Sequence, residues 1–417
     1  MTRTEAAEKR RERVLEATAE LVAERGYLGL KIAELARRAG VSLLTVGKLF
    51  GDKLGCYLAV LANTVVEARR SCEDAHGEPK ATEASLGALF EMAATNPVAA
   101  RACLLEPFAA GEKAIDHHRR MLAELGAALL EGAGGPSETA AIAAGAAVLW
   151  LPERCLLDEE PERIPGLTRE ALEFAIAARA YAEGMPERSR SRLAEGQRRL
   201  ETRGGSSHGE PAEEAVLGPL PAGRHGLTRA VVQRSQRERL LAAVAEAVAE
   251  RGYAATRIGD VVERAAVSRR AFYENFESVE ECLLDAFEIV VRHLGEIAAE
   301  AAAAEEGDPP RRAIAALRAV LDFLAAEPDL ARACMVETLA VGAVGQRRYR
   351  EGVNALAEAL RANLAGAQGG SPSAAHAQMA VGSVAMVVSL RIAASHVEDL
   401  PSLEPELAEL LLGPLAA

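Results

Sequence analysis

The chain has 417 residues, enough for two to four domains, with 49% hydrophobic residues, 4% aromatics and a formal net charge of −13 at pH 7. The negative balance argues against a nonspecific nucleic-acid coat. No stretch of about 18 apolar residues free of charge and breakers points to a membrane span, and the basic start MTRTEAAEKRRERV has no apolar core behind it to make a secretory signal.

Leu, Ala, Val and Ile dominate with few alternating β-branched runs, which predicts an all-α chain. Residues 5–25 form an amphipathic helix with Val14, Thr18, Leu21 and Val22 on one face. Gly26 follows the last periodic residue, where a left-handed conformation is cheap. A short helix over 31–39 leads to a tight turn at Gly40 and Val41. Ser42 then caps a helix that ends near Phe50, and a longer helix starts near Asp52. Helix, short turn and capped short helix make a helix-turn-helix pattern. Further helices are expected over 81–95, 98–109, 116–132, 137–157 and 168–183. Residues 186–224, rich in Arg, Gly, Ser, Glu and Pro, read as a flexible linker.

Beyond it the chain repeats itself. Residues 11–42 return at 237–268 without a gap, with 18 of 32 positions identical at an offset of 226. PVAARACLLEPFAAG at 97–111 returns as PDLARACMVETLAVG at 328–342, including the acidic residues Glu106 and Glu337. A period this long is not a solenoid repeat, so a whole set of domains was duplicated. Leu240, Val244, Ala247 and Val248 repeat the apolar face, and Gly252, Ala266-Val267, Ser268 and Phe276 repeat the punctuation. Later helices are expected over 311–326, 330–344, 347–365, 373–397 and 404–412. Basic residues cluster at the front of each copy: Arg3, Lys9, Arg10, Arg11 and Arg13, then Arg224, Arg229, Arg234, Arg237 and Arg239.

Arg25-Gly26-Tyr27, Ala39-Gly40-Val41-Ser42, Phe50 and Lys53, echoed by Arg251-Gly252-Tyr253, Thr256, Val267-Ser268, Tyr273 and Phe276, resemble the TetR family of bacterial transcriptional regulators. The resemblance implies two copies of an N-terminal helix-turn-helix domain followed by a helical ligand-binding and dimerisation domain, packed as a pseudo-dimer. The expected limits are 1–70 and 71–185 for the first copy, 186–228 for the linker, and 229–295 and 296–417 for the second. It also implies a cytoplasmic, ligand-responsive regulator, in the family's usual sense a repressor, with double-stranded operator DNA and a small-molecule effector as partners. The family dimerises through its last two helices, which predicts a pseudo-dimer within one chain. A homodimer of chains with four heads is the rival arrangement. A sensor or interaction module whose first head has lost DNA reading is the alternative function.

A reading helix places short or bidentate side chains in the major groove near its N-terminus. Arg269 and Arg270 stand there in the second copy, for guanine edges or for phosphates. Leu43 and Leu44 stand there in the first, to touch thymine methyls or to pack inward. Ser42, Thr45, Lys48, Ser268 and Asn275 are further DNA-facing candidates. Thr256 keeps the family's cap of the second helix, where the first copy has Leu30. Tyr273 either bonds a phosphate or packs on the first helix, and Lys53 meets a phosphate at a helix N-terminus. Gly47 replaces the usual tyrosine in the first copy.

The resemblance places a ligand pocket in each helical body, with Phe108, Trp150, Arg154, Met335, Tyr349 and Met386 as candidate lining residues. His117, His118, Arg347 and Met379 are weaker ones, and ordinary core is the competing reading for each. Adjacent His117 and His118 do not face one metal. Six cysteines show no C-x-x-C pair. The equivalent pairs Cys103/Cys334 and Cys56/Cys282 read as small buried apolar residues in a reducing cytosol. No glycine-rich phosphate loop, H-E-x-x-H or nucleophile elbow is present, so neither an enzyme nor a cofactor is indicated.

Overall fold

The computed structural model describes residues 3–75, 81–130, 136–184, 229–365 and 372–416, so the expected linker lies outside the described residues. Every regular element among the described residues is helical. The first copy runs α1 Arg3–Gly29, α2 Ile32–Arg38, α3 Leu43–Phe50, α4 Lys53–Ala75, α5 Ala81–Thr95, α6 Pro97–Leu105, α7 Pro107–Ala110, α8 Glu112–Leu129, α9 Glu138–Leu157 and α10 Thr168–Gly184. The second runs α11 Arg229–Arg251, α12 Ile258–Arg264, α13 Arg269–Tyr273, α14 Val279–Ala304, α15 Pro309–Ala326, α16 Pro328–Arg332, α17 Thr338–Ala340, α18 Ala343–Leu364, α19 Ala374–Ala393 and α20 Glu404–Ala416.

The apolar stripes explain the heads. Val14, Thr18, Leu21 and Val22 of α1, and Leu240, Val244, Ala247 and Val248 of α11, are all buried. Each stripe anchors a small core of its own, closed by Leu35, Val46 and Tyr57 in one copy and by Val261, Phe272 and Phe276 in the other. The glycines that punctuate these helices, Gly26 at a kink inside α1 and Gly252 just after α11, differ from the expected left-handed cap. Gly26 (φ 69°, ψ 166°) and Gly252 (φ 77°, ψ 151°) adopt a conformation that is essentially reserved for glycine.

The bodies depart from prediction where proline and packing intervene. The single helix expected over 98–109 is split at Pro107, which has no N–H to continue α6. Thr338 takes that position in the second copy. There the chain passes from α16 through a π turn, Ala333–Glu337, into α17, with the Thr338 hydroxyl donating to Ala333 O at 3.0 Å. α8 and α18 begin earlier than expected, directly after Gly111 and Gly342. α8 and α9 cross closely because Gly126 and Gly145 lack side chains. A Cβ at either would overlap the backbone of the facing helix, at Ala141 and Leu122 respectively.

The two bodies share one hydrophobic core. α9 packs along α19 and α10 along α20, so four helices join the copies in one bundle. Two of these helices are long and apolar. α9 and α19 have the length and hydropathy to cross a membrane, but most of each is buried inside the protein. Their apolar faces are spent on the joint core.

Candidate nucleic-acid interface

Each head is clamped by the same ion pairs. Arg38 reaches Glu24 at 2.5 Å, and Arg264 pairs with Glu250, tying the second helix to the first in both copies. Arg25–Glu34 at 2.7 Å and Arg251–Asp260 at 3.2 Å repeat a second clamp. Three residues of the basic clusters serve the fold rather than an open DNA-facing patch. Arg11 lies 5.1 Å over the Phe50 ring, and Arg237 lies 4.7 Å over Phe276 while pairing with Asp285 at 2.6 Å. Arg239 donates to Ala265 O at 3.1 Å, at the end of α12. Arg13 lies beside Gly40 and is exposed. Lys9, Arg10 and Arg234 are exposed. The side chains of Arg3 and Arg229, and all of Arg224, lie outside the described residues.

The turn is left-handed in both heads. Gly40 takes φ 61°, and Ala266 takes φ 50° where a glycine would be unstrained. Ser42 and Ser268 then cap the reading helices, their Oγ atoms accepting from the N–H of Thr45 and Ala271 at 3.1 Å each. The first two residues of each helix face outward.

Leu43 and Leu44 are 56% and 67% exposed, which disposes of the inward-packing alternative. Thr45 bonds Ser42 through the two hydroxyls at 2.8 Å, Lys48 is exposed, and no atom lies within 4 Å of a Cβ built on Gly47. In α13, Arg269 and Arg270 are exposed at the same register, with Arg270 paired to Glu274 at 2.9 Å. Tyr273 is 61% exposed, its ring edge-on to Phe272 rather than against α11.

Three predicted DNA-facing residues turn inward. Thr256 is 4% exposed and donates to Gly252 O at 2.9 Å, so it braces the α11–α12 corner; Arg257, not Thr256, precedes α12, and its N–H is accepted by Asp260 at 2.8 Å. Lys53 places its ammonium 4.2 Å over the Tyr27 ring and donates to Leu28 O at 3.3 Å, and burial lowers its pKa. Asn275 donates to Ala271 O at 2.7 Å, closing α13. In all three, a polar group near a helix end finds a backbone carbonyl within reach before it reaches solvent.

Each body contains a cavity between equivalent helices. The first, about 280 Å³, lies among α4, α5, α6, α8 and α9, with Phe90, Cys103, Leu104, Met121 and Leu149 in its wall. The second, about 330 Å³, lies among α14, α15, α18 and α19 and the π turn, with Phe287, Leu317, Met335, Tyr349 and Val384 in its wall. Of the candidate lining residues, Met335 and Tyr349 stand in a cavity wall. The other candidates are placed elsewhere. Phe108 packs on His118 with ring centroids 6.5 Å apart, and Trp150 lies under Arg350 between the copies. Met386, the α19 counterpart of Trp150, is buried in the joint core, and Arg154 is half-buried near the Cys155 thiol. Arg347 reaches Leu157 O across the interface, and Met379 is fully buried. His118 is buried with a hydrogen bond to the Cys103 backbone, and burial lowers its pKa to about 4. His117 bonds the Leu61 backbone. Burial raises the Cys56 thiol to about 11 and Cys103 and Cys334 to about 12, so these cysteines are core groups, not thiolates.

The repeated acidic residues have a structural role that the sequence marked but did not explain. Glu106 accepts the Tyr27 N–H at 2.7 Å, and Glu337 accepts the Tyr253 N–H at 2.7 Å. Both carboxyls are buried; burial raises their pKa values while these N–H donors oppose the rise. Each joins a body to the glycine corner of its own head. The signal was the ARAC-x-x-E repeat, but an acceptor for a backbone N–H more than 70 residues away leaves no spacing to read.

Two capped reading helices presented outward, each following a second helix that duplicated clamps tie to a longer first helix, define a helix-turn-helix DNA-binding protein. Residues 14–60 and 240–286 each match the family model for bacterial regulatory proteins of the tetR family. The chain therefore carries two tandem TetR-like DNA-binding units. No curated protein matches the chain.

Proposed function

We propose that the chain is a ligand-responsive repressor whose two heads bind one operator made of two unlike half-sites. The observation that carries this reading is that equivalent positions on the two outward-facing reading helices hold different chemistry, Leu43 and Leu44 against Arg269 and Arg270, while one bundle joins the bodies. Arginine at that register bridges O6 and N7 of guanine, whereas leucine meets only the thymine methyl. Ser42, Thr45, Lys48 and Ser268 complete the surfaces, and Tyr273 supplies a hydroxyl for a phosphate. The separate head cores support limits near 1–70 and 229–295 for the heads, with bodies over 71–185 and 296–417.

The two cavities support an effector site in each body. The second is walled almost wholly by apolar side chains, and the Tyr349 hydroxyl there is already paired with Ser389 at 3.0 Å, so an uncharged lipophilic molecule fits it. Coupling to the heads runs through the buried glutamates. Cys103 and Leu104 line the first cavity just before Glu106, and Met335 lines the second just before Glu337. A ligand that displaces this wall moves the carboxylate that fixes Tyr27 or Tyr253, and with it the head.

Selection of genomic DNA fragments by the purified chain at moderate salt tests the reading. An enriched motif with two different halves about one helical turn apart is expected. A palindrome, or no enrichment, overturns the unlike half-sites. The second reading, a first head that no longer reads DNA, rests on the bare Gly47 surface and the two exposed leucines. It predicts a motif with one specified half.

A further inference from the structure

The interactions that join the two bodies do not repeat about their pseudo-two-fold relation. Gly111 and Gly342 precede α8 and α18, and Ser137 and Ser373 cap α9 and α19, which fixes the equivalences. Arg350 of α18 crosses into the first body. Its guanidinium lies 3.9 Å over the Trp150 ring, donates to Trp150 O at 2.7 Å and pairs with Glu153, with both charged groups buried. The counterpart Arg119 does not cross; it turns outward to Asp116 and Glu138. The counterpart of Glu153 is Ser389, which bonds Tyr349 inside its own body.

Shape follows the same direction. Trp150 sits on Gly382 of α19, where a Cβ would overlap the indole. The counterpart of Gly382 is Ala146, which carries that Cβ. Gln346 donates to Leu105 O and Arg347 to Leu157 O across the interface. Their counterparts, Ile115 and Asp116, have no donor to offer a carbonyl.

We propose that this face is a directional lock, on which each body accepts the other kind of body and rejects its own. Two first bodies would press Trp150 onto the Ala146 methyl and bring the Asp116 carboxylate to the Leu157 carbonyl. Two second bodies would bury Arg350 against Ser389 with no carboxylate, and an unpaired buried charge is strongly disfavoured. The partner of either face is therefore the unlike body, from the same chain or from a second copy. The proposal deepens the reading of the chain as a two-headed regulator, because every paired unit then presents one head of each kind.

The test contains no DNA, so failure of the operator reading and failure of the lock are separable. A protease site is inserted after residue 205 of the full chain, the protein is cut, and native mass spectrometry weighs the complexes. The two pieces differ in mass, so each pairing is distinct. Only complexes of one first piece and one second piece are expected. Complexes of like pieces, or a majority of free pieces, overturn the proposal. In the same assay Arg350→Met leaves Glu153 buried alone and raises the dissociated fraction roughly tenfold or more, whereas E153M/R350M, which removes both charges, recovers most of the association. Equal loss in the single and double variants overturns the assignment of the lock to this pair. Gly382→Ala, with every charge intact, is expected to release the pieces as well; unchanged association there overturns the part played by shape.

Discussion

The two heads share a frame and differ in what they show to solvent. Clamps, caps and cores repeat residue for residue, from Arg38–Glu24 and Arg264–Glu250 to the caps Ser42 and Ser268. The outer surfaces diverge. α3 exposes two leucines and a bare glycine, and α13 exposes two arginines and a tyrosine. Duplication preserved what each head needs to fold, while the outward-facing positions were free to change. The difference between the heads is therefore a difference in partner chemistry.

The sharpest way to break this comparison is to remove the reading side chains head by head. R269A/R270A is expected to cost about 1–3 kcal/mol for each guanine that is no longer bridged, or roughly tenfold to a hundredfold per residue in affinity. L43A/L44A removes only apolar groups that meet thymine methyls and is expected to cost less. Anisotropy titrations on a selected fragment at fixed salt check this, and equal losses would show that the heads read alike.

A second contrast lies in the bodies, where buried His118 occupies the position of Tyr349. Its folded pKa of about 4 lies below the ordinary value of 6.5, so the unfolded chain binds the extra proton between these values. Stability from this group is present above pH 6.5 and is lost as pH falls through 4, by roughly 3 kcal/mol in full. Buried Glu106 and Glu337, with raised pKa values, work in the opposite sense, so the informative measurement is a difference. Melting midpoints of wild type and H118Y are expected to diverge below pH 6.5, with the wild type losing more. Parallel curves would place the acid sensitivity elsewhere.

The buried glutamates give a smaller effect. E106A and E337A each leave the Tyr27 or Tyr253 N–H without its acceptor, which costs about 1–3 kcal/mol. Chemical unfolding checks the total, and hydrogen exchange at Tyr27 and Tyr253 shows whether the loss is local to the matching head. The smallest contrast is at the turn. A266G relieves a left-handed alanine and is expected to stabilise by about 1 kcal/mol, while G40A imposes the same strain and destabilises by about 1–2 kcal/mol. Denaturant midpoints that move in the same direction would sink this account.

Much of the head was legible in the sequence because its causes are local. A 3.6-residue apolar period, a glycine or tolerated alanine at the turn and a serine cap all act within a few residues. The role of Lys53 was not legible, because its ammonium meets a backbone carbonyl that the fold brings close, at Leu28, and those of Thr256 and Asn275 were not, because spacing alone does not choose between solvent and the carbonyls four residues back, at Gly252 and Ala271. Those of Arg11 and Arg237 were hidden for a related reason. A cation and an aromatic ring far apart in the chain meet only once the head is assembled. The helix break at Pro107 has a local cause, but the π turn at 333–337 depends on packing against α19.

The sequence alone determined that the chain is helical, that one unit was made twice, and that two differently equipped reading helices would result, because periodicity, caps and repeats are written in neighbouring residues. Only the tertiary structure decided which polar residues face outward, where the cavities lie, and that the bodies pair through Arg350, Glu153, Trp150 and Gly382 in one direction. Those outcomes depend on which distant groups share a buried space, and the energy of burying a charge or a ring is fixed by its neighbours there.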